Sequence, residues 1–312
     1  VKCLLNKRIT ALTLASLMIL GMAYTAKSAF AHTFSGDESA SFLARVQELR
    51  VETHLIEQNL SNQTLVSWHI DKTGEFWTAN DTTQMAERNQ RLAKEIPDGL
   101  SNLSAAANST NPDAAKVKSI VDALDNSLAE AVTVRIDQPA RDNVTVNALA
   151  IVNVLDETME DYGTAVGAED TGSNMTMSDN STNGGSVSSM DNMSSSSGST
   201  ATVVNVAAYK TAQGLAAAAQ DMFNTLKTKS PSNNTAAIAN LDQGFTKLKQ
   251  AIDGKMSNDD VTSIVHGTIM TNIQTAYNLQ TVPEFPLPIL AAILGIGSVV
   301  AYSRVKNTKQ FV

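Results

Sequence analysis

An uncharged stretch of 19 residues, Phe285 to Ser303, lies close to the C-terminus and is followed by Arg304, Lys306 and Lys309 with no acidic residue among them. As a helix rising 1.5 Å per residue it would reach about 28 Å, close to the hydrocarbon thickness of a bilayer. The cations beyond it predict a cytoplasmic tail and an external body. At the other end, Lys2, Lys7 and Arg8 precede an apolar run from Ile9 to Ala23, and Ala29-Phe30-Ala31 supplies a small-x-small cleavage pattern, so residues 1–31 read as a secretory signal. An uncleaved anchor is the alternative reading of that run, which falls short of the roughly 20 residues a spanning helix needs. Cleavage after Ala31 would remove Cys3, the only cysteine. The mature chain would then have no disulfide and no thiolate metal or redox site. Residues 32–303 hold all 31 carboxylates but 16 of the 23 Lys and Arg, a net charge of −15. Such a surface repels phosphates, which argues against nucleic acid as a partner.

Val282-Pro283-Glu284-Phe285-Pro286 stands immediately before the apolar stretch. A Pro-Glu-Phe signature, a membrane helix and a short basic tail together resemble the PEF-type C-terminal sorting signals of archaea, in particular the PEFG-CTERM surface proteins of ammonia-oxidising Thaumarchaeota. Pro286 stands where that family has glycine. The resemblance implies that Pro283, Glu284, Phe285 and Pro286 are read by an archaeosortase, a membrane cysteine transpeptidase that cuts near the motif and passes the protein to a lipid anchor. A stiff collar of Pro283, Pro286 and Pro288 before a permanent membrane helix is the other reading. Both place the protein at the extracellular face of the cell membrane, with its C-terminus cytoplasmic before any processing.

The body between these ends reads as helices. Phe42, Val46, Leu49, Ile56 and Leu60 recur at helical steps, with Ser35, Asp37 and Ser39 as candidate caps. Asn80-Asp81-Thr82-Thr83 opens a second helix, expected to run through Met85 and Leu92 and to stop before Pro97. Pro112 suits the first turn of a third, carrying Val117, Ile120, Val121, Leu124 and Leu128. A fourth, over about 142–163, aligns Leu149, Val152, Leu155, Met159 and Tyr162. The run Val132-Thr133-Val134-Arg135-Ile136 alternates like a strand but has no pairing partner. Beyond residue 200, three more helices are expected: one with Tyr209, Leu215, Met222, Phe223 and Leu226, one with Ile238, Leu241, Phe245, Leu248 and Ile252, and one after a Ser257-Asn258-Asp259 cap with Val261, Ile264, Val265, Ile269, Ile273 and Tyr277. Three helices make a small core, which a helix borrowed from the first part would steady.

Residues 171–200 contain 11 Ser, 4 each of Gly, Thr, Asn and Met, and one Val. They cannot bury enough apolar surface to offset chain entropy, so the segment reads as a disordered linker spanning about 30 Å as a coil. The expected fold is therefore all-α: two antiparallel helical bundles joined by a disordered linker and moving independently, plus one C-terminal transmembrane helix. The parts are a signal peptide 1–31, a helical domain 32–164, the linker 165–200, a helical domain 201–280, motif and spacer 281–286, the membrane helix 287–303 and a basic tail 304–312.

Ten Asn-x-Ser/Thr triplets occur, at Asn59, Asn62, Asn80, Asn102, Asn108, Asn143, Asn174, Asn180, Asn192 and Asn233. On an exported chain they predict a glycoprotein, with Asn174, Asn180 and Asn192 the most accessible because they fall in the linker. Catalytic signatures are absent from the sequence: there is no Gly-x-Ser-x-Gly elbow, no His-Glu-x-x-His pair and no phosphate loop, and the carboxylates read as scattered over solvated helix faces. The chain is therefore expected not to be an enzyme and to hold no resident cofactor. Copper is the exception to weigh. Met175, Met177, Met190 and Met193 crowd into the linker, and thioethers are soft ligands that suit Cu(I); compositional drift is the competing explanation. His32, as a new N-terminus, could chelate Cu(II), and His266 with Met270 would share a helix face. His54 and His69 have no second ligand at a fixed step, and Trp68 and Trp77 read as packing residues. The resulting expectation is a non-catalytic envelope protein with a structural or interaction role, whose partners are the membrane, the archaeosortase that processes it, and cell-envelope proteins or glycans. The alternative is an extracytoplasmic copper-binding protein using the linker methionines.

Overall fold

The computed structural model describes residues 38–168, 200–229 and 234–279, and every regular element in them is helical. Local sequence fixes most of the starts. α1 (Glu38–Gln58) runs into α2 (Gln63–Phe76), where the Asn62 side chain accepts from the Leu65 amide. Thr78 and Asp81 form a reciprocal capping box at the start of α3 (Ala79–Ala86), and Asn89 accepts from the amides of Arg91 and Leu92 to open α4 (Gln90–Ala107). Asp113 caps α5 (Ala114–Arg135), Asp137 caps the single turn α6 (Gln138–Arg141), and Asn143 caps α7 (Val144–Val166). α7 ends on Gly167 at φ 64°, a left-handed conformation in which glycine has no Cβ to clash. α8 (Val206–Lys229), α9 (Thr235–Asp253) and α10 (Asn258–Ser263) follow. α10 continues without a break through a π-helical stretch, Ile264–Met270, into α11 (Thr271–Tyr277).

The helices pack antiparallel. Arg135 at the end of α5 meets Glu38 at the start of α1, while Asp125 meets Arg50 and His54 farther along. α4 returns along α5, α2 along α1, and α9 along α8, where Phe223 stacks on Phe245 at 5.1 Å. One apolar core lies among α1, α3, α4 and α5, around Phe42, Leu49, Trp77, Met85, Leu92 and Leu128. A second holds Ile56, Val66, Leu103, Val117 and Val121. Asp81, 1% exposed, links three helices at one end. It pairs with Arg45 of α1 at 3.0 Å and approaches Arg135 of α5 at 3.6 Å, and Arg135 lies over the Phe42 ring at 4.4 Å.

The all-α expectation holds for the described residues, and four details differ. The strand-like run 132–135 is the last turn of α5, because without a pairing partner the helix satisfies its backbone groups more fully. Pro97 lies inside α4 instead of ending it, and the break falls at residues 87–89. One turn bond is lost there, yet Leu92, Ile96 and Leu103 stay on one buried face. α2 was not anticipated. The fourth difference concerns the two expected bundles: among the described residues α8 packs along α7 and also against α1, so the helices on either side of the connection share one packed body. Alanines make this possible, since Ala208, Ala212, Ala216 and Ala219 are buried on α8 and allow the helices to approach closely. The second part thus borrows helices from the first.

No helix among the described residues is long and apolar enough to cross a membrane. The signal 1–31, most of the linker, the motif at Pro283 to Pro286, the span 287–303 and the tail 304–312 lie outside the described residues.

Replacing Asp81 by Ala takes the carboxylate away from the buried Arg135, which keeps only Glu38, and from the part-exposed Arg45, and it removes half of the capping box. Urea unfolding at neutral pH is expected to show a loss of about 3 kcal/mol, against about 1 kcal/mol for Thr78→Ala, which removes only the cap.

Candidate functional site

Four helices direct polar side chains into the middle of the body. α1 supplies Glu48 and Glu52, one turn apart and 5% and 0% exposed. α2 supplies His69, fully buried, and Lys72. α7 supplies Glu157 and Asp161, again one turn apart, and α8 supplies buried Thr211. The spacing is the cause: residues three and four apart on a helix share a face. Each pair therefore enters the interior together.

Glu52 is the hub. Its Oε2 lies 2.7 Å from Nδ1 of His69, and its Oε1 accepts from the Thr211 hydroxyl at 2.7 Å. With a carboxylate facing Nδ1, that nitrogen is the donor, and Nε2 has no hydrogen-bond partner. The Trp68 ring stands edge-on to the imidazole at 5.4 Å. One turn along α2, the Lys72 ammonium lies 3.0 Å from Glu157, 3.4 Å from Asp161 and 3.2 Å from Glu75. It also sits over the Trp68 and Phe76 rings at 5.6 and 5.5 Å.

Burial dominates the electrostatics. Desolvation, reinforced by Glu157 and opposed by Arg45 and Lys72, pushes the Glu48 carboxyl up to about 8. Desolvation likewise raises Asp161 to about 8; Lys72 counters it and Glu157 adds to it. For Lys72 burial works against the charge, yet Asp161 and Glu157 outweigh it and hold the ammonium protonated well above the usual lysine range. Carboxylates paired across bundle helices can also be a metal cage. Here the Lys72 ammonium takes the central cationic position, and no group of three His, Cys, Asp or Glu is arranged for a metal ion among the described residues. Chemically the cluster is a charge-paired tie among α1, α2, α7 and α8.

A second feature lies on the neighbouring face of α1. A groove of about 860 Å³ runs between α1 and α8, bordered by α7 and α9. Its floor includes Gly214, Ala217 and Ala218, and Leu43, Val51 and Leu55 give it an apolar wall. A Cβ on Gly214 would stand 2.5 Å from Val51 Cγ1, so glycine sets how closely the two helices approach. Arg50 and His54 line the groove and both turn to Asp125, Arg50 donating to its carbonyl at 3.0 Å and His54 Nε2 lying 3.0 Å from Oδ2. That hydrogen bond raises the His54 pKa against the opposing effect of burial. Lys210, Lys249, Asp221 and Asp253 complete a rim of mixed charge.

The residues singled out in the sequence scatter across these features. His69 is at the cluster and His54 at the groove. His266 and Met270 do share a face, with Nδ1 3.1 Å from the sulfur, in the π-helical stretch. Trp77 is buried and donates to Thr82, whereas Trp68 is half-buried. Met175, Met177, Met190 and Met193, Asn174, Asn180 and Asn192, and His32 lie outside the described residues. Reading the carboxylates as solvated missed Glu48, Glu52, Asp81 and Asp161, all buried. One signal was available: Glu48 and Glu52 interrupt the apolar face set by Val46, Leu49 and Ile56 instead of lying opposite it.

Stability should depend on pH through Glu48. In the folded protein its carboxyl keeps the proton to about 8, against an ordinary 4.5. The resulting stabilisation is complete below 4.5, fades as pH rises, and is gone above 8. Urea midpoints measured from pH 5 to pH 9 should therefore fall, and Glu48→Gln should flatten much of that slope, leaving the part due to Asp161. A variant whose midpoints fall as steeply as those of the parent would remove Glu48 from the effect.

Comparison with protein-family models, with curated proteins and with solved structures returned no match for the chain.

Proposed function

We propose that this is a non-catalytic cell-surface protein of an archaeal envelope, exported by residues 1–31, held by a membrane helix over 287–303, and acting through its external helical body in a structural or interaction role. In this reading Pro283, Glu284, Phe285 and Pro286 are the sorting signal, and residues 304–312 face the cytoplasm before processing. The observation that carries it is the agreement between two independent features. The basic-apolar-small order at the N-terminus and the cations after Ser303 call for the same orientation. The net charge of −15 over residues 32–303 suits a solvated external surface. The groove between α1 and α8, with an apolar wall and a rim of mixed charge, supports interaction as the role.

Intact cells treated with a membrane-impermeant amine reagent provide the test. Lys118, exposed on α5, should be labelled without lysis, whereas Lys306 and Lys309 should be labelled only after it. Labelling of all three only after lysis would reverse the location. The intact mass of the membrane-extracted protein decides the sorting step: processing leaves a mass short of the apolar stretch and basic tail, and retention of both means a permanent anchor.

A further inference from the structure

Six of the ten Asn-x-Ser/Thr triplets lie among the described residues, with Asn233 and the three linker sites outside them. An attached glycan has to remain in water after folding, the enzyme that attaches it has to reach the asparagine and the hydroxyl two residues on, and the carboxamide has to be free of other hydrogen bonds so that the enzyme can turn it. Five of the six fail one of these conditions. Asn59 is 8% exposed and its carboxamide donates to the Leu55 carbonyl at 2.7 Å. Asn62 and Asn143 use their side-chain oxygens as helix caps, accepting from Leu65 at 3.3 Å and from Thr145 at 2.8 Å. Asn80 is exposed, but Asp81 beside it is 1% exposed and the Thr82 hydroxyl is held between the Trp77 indole and the Thr78 carbonyl. Asn102 is exposed in the middle of α4, with Leu103 after it 1% exposed in the core. That tripeptide cannot extend without pulling a leucine out of the interior.

Among the described triplets Asn108 alone meets all three conditions. It stands at the end of α4, where the chain leaves the helix for the connection to α5. Asn108, Ser109 and Thr110 are all exposed. The Asn108 backbone amide completes the helix by donating to the Ser104 carbonyl at 3.0 Å, which leaves the carboxamide uncommitted. Ser109 is turned back to the Ala106 carbonyl at 2.9 Å, so the middle residue packs against the helix end while its neighbours project.

We infer that Asn108 is the N-glycan acceptor of the folded body, an inference that rests on the extracellular location proposed above. The donor is a lipid phosphate-linked glycan. Asn108 Nδ2 bonds to the anomeric carbon as the carbon–oxygen bond to phosphate breaks; the phosphate leaves with the bonding pair and the amide proton passes to solvent or an enzymatic base. No electron transfer is involved. The product carries its glycan at the α4–α5 corner.

Trypsin releases Glu95–Lys116 as one peptide containing both Asn102 and Asn108, so fragmentation that preserves glycans compares the two directly. The protein is taken from its native membrane, and impermeant amine labelling of intact cells is run on a separate portion, because labelled Lys94 and Lys116 would resist trypsin. The expected result is a glycan mass on Asn108, none on Asn102 or Asn59, and loss of one glycan from the intact mass in Asn108→Gln but not in Asn59→Gln. Protein labelled on intact cells but bare at Asn108, or modified at Asn102 instead, overturns the acceptor and leaves the location standing. Protein that is not labelled on intact cells and carries no glycan overturns both.

Discussion

Glu52 is buried to zero exposure in the middle of the body, and a carboxylate so placed is tolerated only with its oxygens bonded. One oxygen takes His69, 17 residues on in α2, and the other takes Thr211, 159 residues on in α8. A single side chain thus obliges the α1–α2 hairpin and the α7–α8 hairpin to meet. Apolar contacts between helices can survive a slip of one turn with modest repacking. The Glu52 contact cannot, since a slip strands a buried charge at about 3–5 kcal/mol. Lys72 repeats the device one turn away by holding α7 through Glu157 and Asp161. Directional contacts fix the register, and the alanines of α8 supply the close approach that lets them form.

Legibility in the sequence followed how one-sided each helix is. α5 buries Val117, Val121, Leu124 and Leu128 on one face, and its stripe was plain. Ser257 was readable as a cap because a short polar side chain ahead of an apolar run has one obvious use. α2 was hidden because His69 and Thr73 face inward among Leu65, Val66 and Phe76, which breaks the stripe with residues that normally mark the wet side. α1 is buried around much of its circumference, so its periodicity showed one contact face and concealed the others. The cluster itself was beyond sequence reasoning, because nothing local indicates that Glu52 and Thr211 are neighbours.

The π-helical stretch shows a similar limit at smaller scale. Val265, Ile269 and Ile273 are buried at strict steps of four, which reads as continuous α-helix. The widened turn lies between Ile264 and Met270, where the Thr271 hydroxyl accepts no ordinary helical role and instead donates to the His266 carbonyl at 3.0 Å. Opposite it, Gly244 of α9 faces Ile269, and a Cβ there would stand 2.9 Å from Ile269 Cγ1. Bulge and glycine fit together: the first displaces the helix face and the second leaves room for it.

Joining the hairpins into one unit changes what the connection between α7 and α8 has to do. Two bodies that move independently would need a tether long enough to separate them. Instead, Val204 and Asn205 donate to the Ala165 carbonyl at 2.8 and 3.1 Å, so the chain re-enters beside the point where it left. A few residues would close that gap, and 31 are present between Ala168 and Thr200. Length in the connection is therefore not what brings α7 and α8 together; the hydrogen bonds to Ala165 and the alanine face of α8 do that.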